Sequence, residues 1–246
     1  MHSLIPRCSK KVLGQRDLIK IIMIQVVPAI IPHTKAQLEE EIRKVASFAK
    51  LVQVDISDGI FVPTKSWPYN GHDTDFFKKL KNQEVGWPRW ENLDIEIHLM
   101  VKNPEDVVPD WVKTGVSTIV AHIEATNDFQ KIIDLCRENF VSVGIAIKPS
   151  TDISKIDPFV PQVDFIQCMG SDLLGKHGVL LDSKAVDKIR RLHGLYPERI
   201  IGIDIGVSES TAKSLISAGV RKLISGSAIL NADNPKQVFR YFESLN

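Results

Sequence analysis

The sequence contains no apolar run of the roughly 18 residues that a membrane-spanning helix needs, so no transmembrane anchor is expected. Cysteine is scarce: Cys8, Cys136 and Cys168 are odd in number, far apart and without a CxxC pair. That excludes a disulfide framework and a thiolate zinc site, and it fits a reducing, cytoplasmic setting. Charge of one sign is also missing. Lys and Arg number 31 against 30 Asp and Glu, a net charge of +1, so the chain carries no bulk affinity for a polyanion and no nucleic-acid partner is expected. Neither a GxGxxG nor a Walker loop is present, which removes the usual support for a dinucleotide- or nucleotide-binding sheet.

What is present is an ordinary globular composition, 43% hydrophobic and 25% charged, over 246 residues. That length is close to the roughly 250 residues of an eight-stranded α/β barrel. Residues 1–22 stand apart: Arg7, Lys10, Lys11, Arg16 and Lys20 face a single acid, Asp17, and there is no long apolar segment of a secretory signal. They read as a basic extension outside the fold, with 23–246 as one domain. An organelle presequence and a start at Met23 are the competing readings.

From Ile24 onward, strand and helix patterns alternate. Ile24–Ile31 reads as a strand, and Thr34 caps a helix from Lys35 to about Lys50 with Leu38, Ile42, Val45, Ala46 and Phe48 on one face. Leu51–Ile56 is the second strand. Residues 64–92 hold Trp67, Trp87 and Trp90 in polar sequence with one short helix, Thr74–Leu80, and read as a lid or wall beside the strand ends. Then follow strands at Asp94–Met100, Thr118–Glu124, Val141–Ile147, Val163–Met169, Ile200–Asp204 and Lys222–Ile224. Between and after them come a helix capped by Asn103, one at Asp128–Glu138, a short one at Asp152–Val160, one at Ser183–Leu195, and two capped by Ser208 and Asn234. Eight strands alternating with helices predict right-handed βαβ units closed into a (β/α)8 TIM barrel. A doubly wound sheet is the runner-up.

In such a barrel the carboxyl ends of the strands converge on one mouth. The residues there are Asp55, His98 and Met100, His122 and Glu124, Lys148, Met169, Asp204, and Gly226-Ser227. Asp55 and Gln53 share a face of the second strand. Read alone, each is ordinary: Asp58 suits a turn, and a lone His on a strand is usually a satisfied core residue. Together, two carboxylates on the second and seventh strands could flank a flat substrate. One takes a proton from carbon and the other returns one to the opposite face. The enediolate so formed needs a positive partner, most simply a divalent metal held by carboxylate and imidazole. Gly206 after the seventh strand and Gly226-Ser227 after the eighth sit where barrels commonly bind phosphate.

These residues resemble a known family. Asp55-Ile56-Ser57-Asp58-Gly59-Ile60-Phe61-Val62-Pro63 resembles the DxMDGxFVP signature of ribulose-phosphate 3-epimerases. His98-Leu99-Met100-Val101 and Pro104 are similar to their HLMVxxP, and His122-Ile123-Glu124-Ala125 to their HxEA. Ala146-Ile147-Lys148-Pro149 is similar to AIKP, Asp204-Ile205-Gly206-Val207 to DGGV, and Ser225-Gly226-Ser227-Ala228-Ile229 to SGSAI. The resemblance implies a (β/α)8 barrel and an isomerase of the pentose phosphate pathway that interconverts D-ribulose 5-phosphate and D-xylulose 5-phosphate. It also implies one divalent metal (Zn, Mn, Fe or Co), a phosphorylated ketose as substrate, and leaves a homo-oligomer open. By the same resemblance Asp55 and Asp204 are acid and base. Asp55, His98 and Asp204 are metal ligands, with Gln53 standing where the family has a histidine, and Met100 lines the reacting carbons. Gly206, Gly226 and Ser227 bind substrate phosphate, and Met169, Lys176 and His177 complete the candidate set. Ser57 replaces a methionine, Ala29 a serine and Ile205 a glycine, and Leu173–Gly178 replaces a PGFGGQ loop. These departures keep two alternatives open: an epimerase of another ketose phosphate, and a divergent barrel that binds a phosphorylated ligand without catalysis. A decarboxylase on the same barrel would want a lysine at the position of Ser57.

Overall fold

The computed structural model of the protein describes residues 23–175 and 178–245. Eight parallel strands close in chain order: β1 (Gln25–Ile30), β2 (Leu51–Ser57), β3 (Asp94–Met100), β4 (Thr118–His122), β5 (Ser142–Ile147), β6 (Phe165–Met169), β7 (Ile200–Asp204) and β8 (Lys222–Ser225), with β8 pairing back onto β1. Around them run α1 (Lys35–Val45), α2 (Thr74–Lys81), α3 (Pro104–Trp111), α4 (Phe129–Glu138), α5 (Ser183–Leu195), α6 (Ala212–Ser217), α7 (Ser227–Leu230) and α8 (Pro235–Glu243). The expected barrel is what forms. No helix among the described residues is long and apolar enough to cross a membrane.

Alternation along the strands builds two different interiors. Outward positions such as Val52, Val54 and Ile56 on β2 and Ile95, Ile97 and Leu99 on β3 join Leu38, Ile42 and Val45 of α1 and Ile132, Ile133 and Cys136 of α4 in one continuous core. Inward positions are polar far more often: Gln53 and Asp55 on β2, Glu96 and His98 on β3, His122 on β4, Gln167 on β6, Asp204 on β7 and Lys222 on β8 are all buried. Polar groups out of water cost free energy unless paired. The strands therefore carry these residues where bonds across the barrel can satisfy them.

Local chemistry sets the element ends. Thr34 Oγ1 accepts from Gln37 N at 3.1 Å and starts α1, with Arg43 and Lys44 in its last turn. Asn234 caps α8 as expected, and Asp128, expected inside its helix, caps α4 instead. Asn103 does not cap α3. It adopts φ +51°, its side chain accepts from Asn127 instead, and Pro104 removes one N–H that would need a cap. The expected helix at Asp152–Val160 is replaced by two 3₁₀ turns, Ile153–Lys155 and Val160–Gln162, because Pro158 and Pro161 cannot donate to a helical ladder. After β7 the helix begins at Ala212, not next to Ser208, and Gly226 is followed at once by the short α7, which the sequence pattern did not reveal.

Residues 64–92 are also reassigned. Trp67 and Trp87 are buried in the main core, where Trp67 meets Phe76, Phe77, Trp87 and Trp111 at centroid distances of 5.6–6.3 Å. The segment is an aromatic wedge in the helical layer, and its tryptophans do not cover the mouth. Only its first residue approaches the mouth, where Thr64 Oγ1 donates to the Gly175 carbonyl at 3.2 Å; just before it, Val62 and Phe61 pack with Met100, Met169 and Leu174. Cys136 and Cys168 are buried free thiols, and burial pushes both to about 12. Residues 1–22, with Cys8, lie outside the described residues.

Candidate active site

β2, β3 and β7 bring Asp55, His98 and Asp204 together, and each offers one ligand atom within 4.8 Å of the others. Asp55 and His98 are direct neighbours in the β2–β3 register. His98 Nδ1 lies 3.0 Å from Asp55 Oδ1 and 3.5 Å from Asp204 Oδ2. Gln53, one inward position below Asp55, reaches the same point. Its Nε2 donates to Asp55 Oδ1 at 2.8 Å and to Asp204 Oδ2 at 3.1 Å, and stands 3.4 Å from His98 Nδ1. Gln167 adds a long bond to Asp204 Oδ2 at 3.5 Å.

The Gln53 amide bears on whether a cation fits. Its Oε1 is buried with no hydrogen-bond partner among the described residues. A half-turn of the terminal torsion exchanges Oε1 for Nε2. It would then put a carbonyl oxygen at 2.8–3.4 Å from the other three donors, which are themselves 3.0 and 3.5 Å apart where measured through His98. Four donors around an ion at about 2.0–2.1 Å stand roughly 3.3 Å apart in a tetrahedron. The donor set, three oxygens and one imidazole nitrogen, thus has the spacing of a divalent cation site.

Electrostatics point the same way. Burial raises Asp55 above the usual carboxylate range; the negative charge of Asp204 adds to this and the His98 hydrogen bond opposes it. Burial alone would depress His98, but its bonds to Asp204 and Asp55 outweigh that and hold it at about 9. Two carboxylates and one imidazolium leave an excess of negative charge, which a cation or a shared proton would relieve.

Behind His98 stand two more ionisable residues, His122 and Glu124. His98 Nε2 meets His122 Nε2 at 2.9 Å, and His122 Nδ1 meets Glu124 Oε2 at 3.1 Å. Burial, followed by the adjacent His98 charge, lowers His122 to about 4 against the pull of Glu124, and the hydrogen bond to His122 overcomes burial to hold Glu124 at about 2. Strand alternation places His122 and Glu124 at the mouth in the sequence, but the pattern gives no sign that they would join His98. Gln167 was missed as well; its only signal is an inward position of β6, two residues before Met169, which is the direct neighbour of Asp204.

A cavity of about 370 Å³ opens from this centre along the loops after β7 and β8. Asp55, Asp204, Met100 and Met169 line one part; Gly206, Ser208, Thr211, Gly226 and Ser227 line another. That volume suits a small metabolite. Gly206 has φ +78° and its missing Cβ would stand 2.7 Å from Leu181 Cβ, so the turn requires glycine. Ile205 beside it also has positive φ, at +79°, unusual for a β-branched residue. Its carbonyl points at Gly170, where an added Cβ would come within 2.0 Å of it, so loops six and seven interlock at backbone level. Lys176 and His177 lie outside the described residues; their neighbours Gly175 and Gly178 line the cavity.

The sequence profile described as the ribulose-phosphate 3 epimerase family matches residues 25–230. The chain belongs to this family. Curated relatives include the ribulose-phosphate 3-epimerases of Schizosaccharomyces pombe, 27% identical over 89% of this chain and 92% of the relative, and of Escherichia coli strain K12, 28% identical over 87% and 92%. The Bacillus subtilis ribulose-phosphate 3-epimerase is 26% identical over 87% of this chain and 96% of its own. The barrel is shared more widely. A 3-hexulose-6-phosphate synthase from Salmonella typhimurium superposes with a TM-score of 0.67 at 15% identity, covering 90% of this chain and 98% of that one, and supports the fold alone. Within the family the chain is an isomerase scaffold of the epimerase type, with a candidate Asp–His–Asp metal site at its centre.

Proposed function

We propose that this chain interconverts D-ribulose 5-phosphate and D-xylulose 5-phosphate; the curated relatives are named ribulose-phosphate 3-epimerases, which supports epimerisation at C3 of a ribulose phosphate. The observation that carries the reading is the pair Asp55 and Asp204. Both are buried and tied to one Gln53 amide, and both open on a cavity that runs to two glycine loops. Bound with its phosphate toward Gly206, Gly226 and Ser227, a pentulose would place C3 near the carboxylates. One carboxylate takes the C3 proton and the other delivers a proton to the opposite face. Met100 and Met169 wall the reacting carbons with apolar, polarisable surface, which keeps water from the carbanionic centre. Asp55 is suited to the exchange because burial makes it a stronger base than a free carboxylate.

Asp55, His98, Asp204 and the rotated Gln53 amide would hold one divalent cation. When bound, that ion supplies positive charge to the oxygens of the enediolate. The carbonyl of Gln53 makes the set richer in oxygen than a two-histidine site, which favours a harder ion over zinc. The setting we assign is cytoplasmic, consistent with two buried free thiols. Residues 1–22 are assigned to an extension of the barrel domain.

One feature favours a different ketose phosphate. Ile205 lines the cavity and packs against the cluster that holds Met100 and Met169, where a glycine would leave space. The test is proton exchange in deuterium oxide. With D-ribulose 5-phosphate, deuterium is expected at C3, and Asp55→Asn and Asp204→Asn are each expected to abolish it. Normal exchange in both variants would remove the assignment. Exchange on another ketose phosphate, with none on the pentulose, would move the substrate and keep the chemistry.

A further inference from the structure

We propose that Glu124 and His122 are positioning residues that keep a proton on Nε2 of His98, so that Nδ1 is the nitrogen offered to the Asp55–Asp204–Gln53 centre. The inference rests on the function proposed above and concerns residues outside the acid–base pair.

The argument is one of donors and acceptors. The two Nε2 atoms of His98 and His122 are 2.9 Å apart, a distance that needs a single proton between them. One ring must donate and the other must present a bare nitrogen. The choice is made at the far side of His122, where Nδ1 faces Glu124 Oε2 at 3.1 Å. A carboxylate only accepts, so His122 carries its proton on Nδ1. A neutral imidazole has no second proton, so His122 Nε2 is the acceptor and His98 Nε2 is the donor. Glu124 is itself held: its Oε1 accepts from the backbone N–H of Lys148 at 2.8 Å. The rings are locked by packing, with His98 and His122 stacked at 28° and 5.0 Å and Phe61 lying 5.0 Å from His122. Lys148 Nζ sits 4.4 Å above Phe61 and closes the outer side. Both histidines are fully buried, so water does not compete for either nitrogen. His122 does not line the cavity, which separates it from groups that touch substrate.

The lock matters once His98 is neutral, as a ring that ligates a metal must be: with Nε2 bare, its one proton would sit on Nδ1 and point at the cation position. Carboxylate–histidine pairs behind a ligand typically change metal affinity by about 10–100-fold when broken. Here the pair is lengthened by one imidazole.

The test uses the full chain labelled with ¹⁵N-histidine, with Mn²⁺ alone as the metal probe. Two-bond nitrogen–proton correlation spectra of the metal-free protein should show His122 protonated at Nδ1 and bare at Nε2, with His98 protonated at Nε2. Glu124→Gln and His122→Leu should weaken Mn²⁺ binding by about 10–100-fold. His122→Gln, whose amide oxygen can still accept from His98, should recover most of that loss. Circular dichroism and melting curves check folding. If His122→Leu does not fold, Glu124→Gln, at the outer end of the chain of bonds, carries the measurement. A proton found on His122 Nε2 would overturn the proposal, as would wild-type Mn²⁺ affinity in Glu124→Gln. If the unaltered protein takes up no Mn²⁺, the metal in the proposed function is lost, and the ring-nitrogen spectra alone decide on the lock.

Discussion

Two buried polar clusters share this barrel, one near each end of the strands. Toward the amino ends, Lys222 of β8 donates to Glu96 of β3 at 2.5 Å, with both side chains at most 2% exposed, and its ammonium lies 3.6 Å over the Phe165 ring. Toward the carboxyl ends, Asp55, Asp204, His98 and Gln53 converge. The first cluster is charge-balanced and takes no part in lining the cavity above the site; the second has two carboxylates against one imidazole and opens on that cavity. Both cost free energy to bury, and only the first neutralises itself. A balanced pair plugs the barrel, whereas an unbalanced one requires a cation, a proton or a substrate.

The sharpest way to break the contrast is one substitution in the upper cluster. Asp204→Asn and Asp55→Asn each remove one partner of the proposed proton relay while keeping shape and hydrogen bonding. General acid–base groups contribute about 10²–10⁴ in rate, so kcat should fall by at least that range with little loss of folded protein. Steady-state kinetics on D-ribulose 5-phosphate beside a thermal melt would check it. Loss of folding in step with activity would mean that the upper cluster is structural like the lower one.

The matching cut in the lower cluster should do the reverse. Lys222→Met strands Glu96, whose Oε1 already lacks a partner among the described residues. Breaking a buried pair from one side costs about 3–5 kcal/mol. Removing both charges, in Lys222→Met with Glu96→Gln, should return most of it. Urea unfolding of the three proteins gives the stabilities, and the double variant should keep its kcat. A double variant as unstable as the single would contradict the view of a self-contained plug.

Acidity sharpens the comparison within the upper cluster. His98 and His122 touch, yet they shift in opposite directions, to about 9 and about 4 from an ordinary 6.5. A raised folded value stabilises fully below 6.5 and is lost as the pH rises through 9. A lowered folded value stabilises above 6.5 and is lost as the pH falls through 4. Each arm spans on the order of 3 kcal/mol. Metal-free protein should therefore show a stability maximum near pH 6.5, seen as a peak in melting temperature. His98→Gln should flatten the alkaline arm and His122→Gln the acidic one. A melting temperature independent of pH between 5 and 9 would remove the imidazolium from the metal-free site.

The sequence shows much of this, unevenly. The barrel is legible because strand and helix periods differ and because the eight repeats exceed what a doubly wound sheet needs. Asp55, His98 and Asp204 are legible because each sits one or two residues before a strand gives way to loop chemistry. The lower plug is not: Glu96 and Lys222 are 126 residues apart, and no period distinguishes an inward lysine from a surface one. The same limit hides the bond between His98 and His122, since register across β3 and β4 is a property of the closed sheet. The tryptophans of 64–92 misled for the opposite reason. Aromatic residues in polar sequence resemble a lid, but Trp67 is carried into the core by contacts with Phe77 and Trp111, and Trp87 by its contact with Trp67, and none of these has a local signature.

Gln53 is where the comparison can be tuned most finely. Its amide gives the unbalanced cluster two hydrogen bonds that a charge-balanced plug would not need. In Gln53→His an imidazole nitrogen replaces the amide, and the donor set gains nitrogen at the expense of oxygen. Nitrogen ligands favour zinc over harder ions, so the variant should bind zinc more tightly relative to Mn²⁺ than the unaltered chain does. The change is expected to be smaller than any of the losses above, because three donors stay in place. Competition between Zn²⁺ and Mn²⁺, followed by Mn²⁺ electron paramagnetic resonance, reads the ratio directly. An unchanged ratio would mean that residue 53 stays out of the coordination shell and serves only to bridge Asp55 and Asp204.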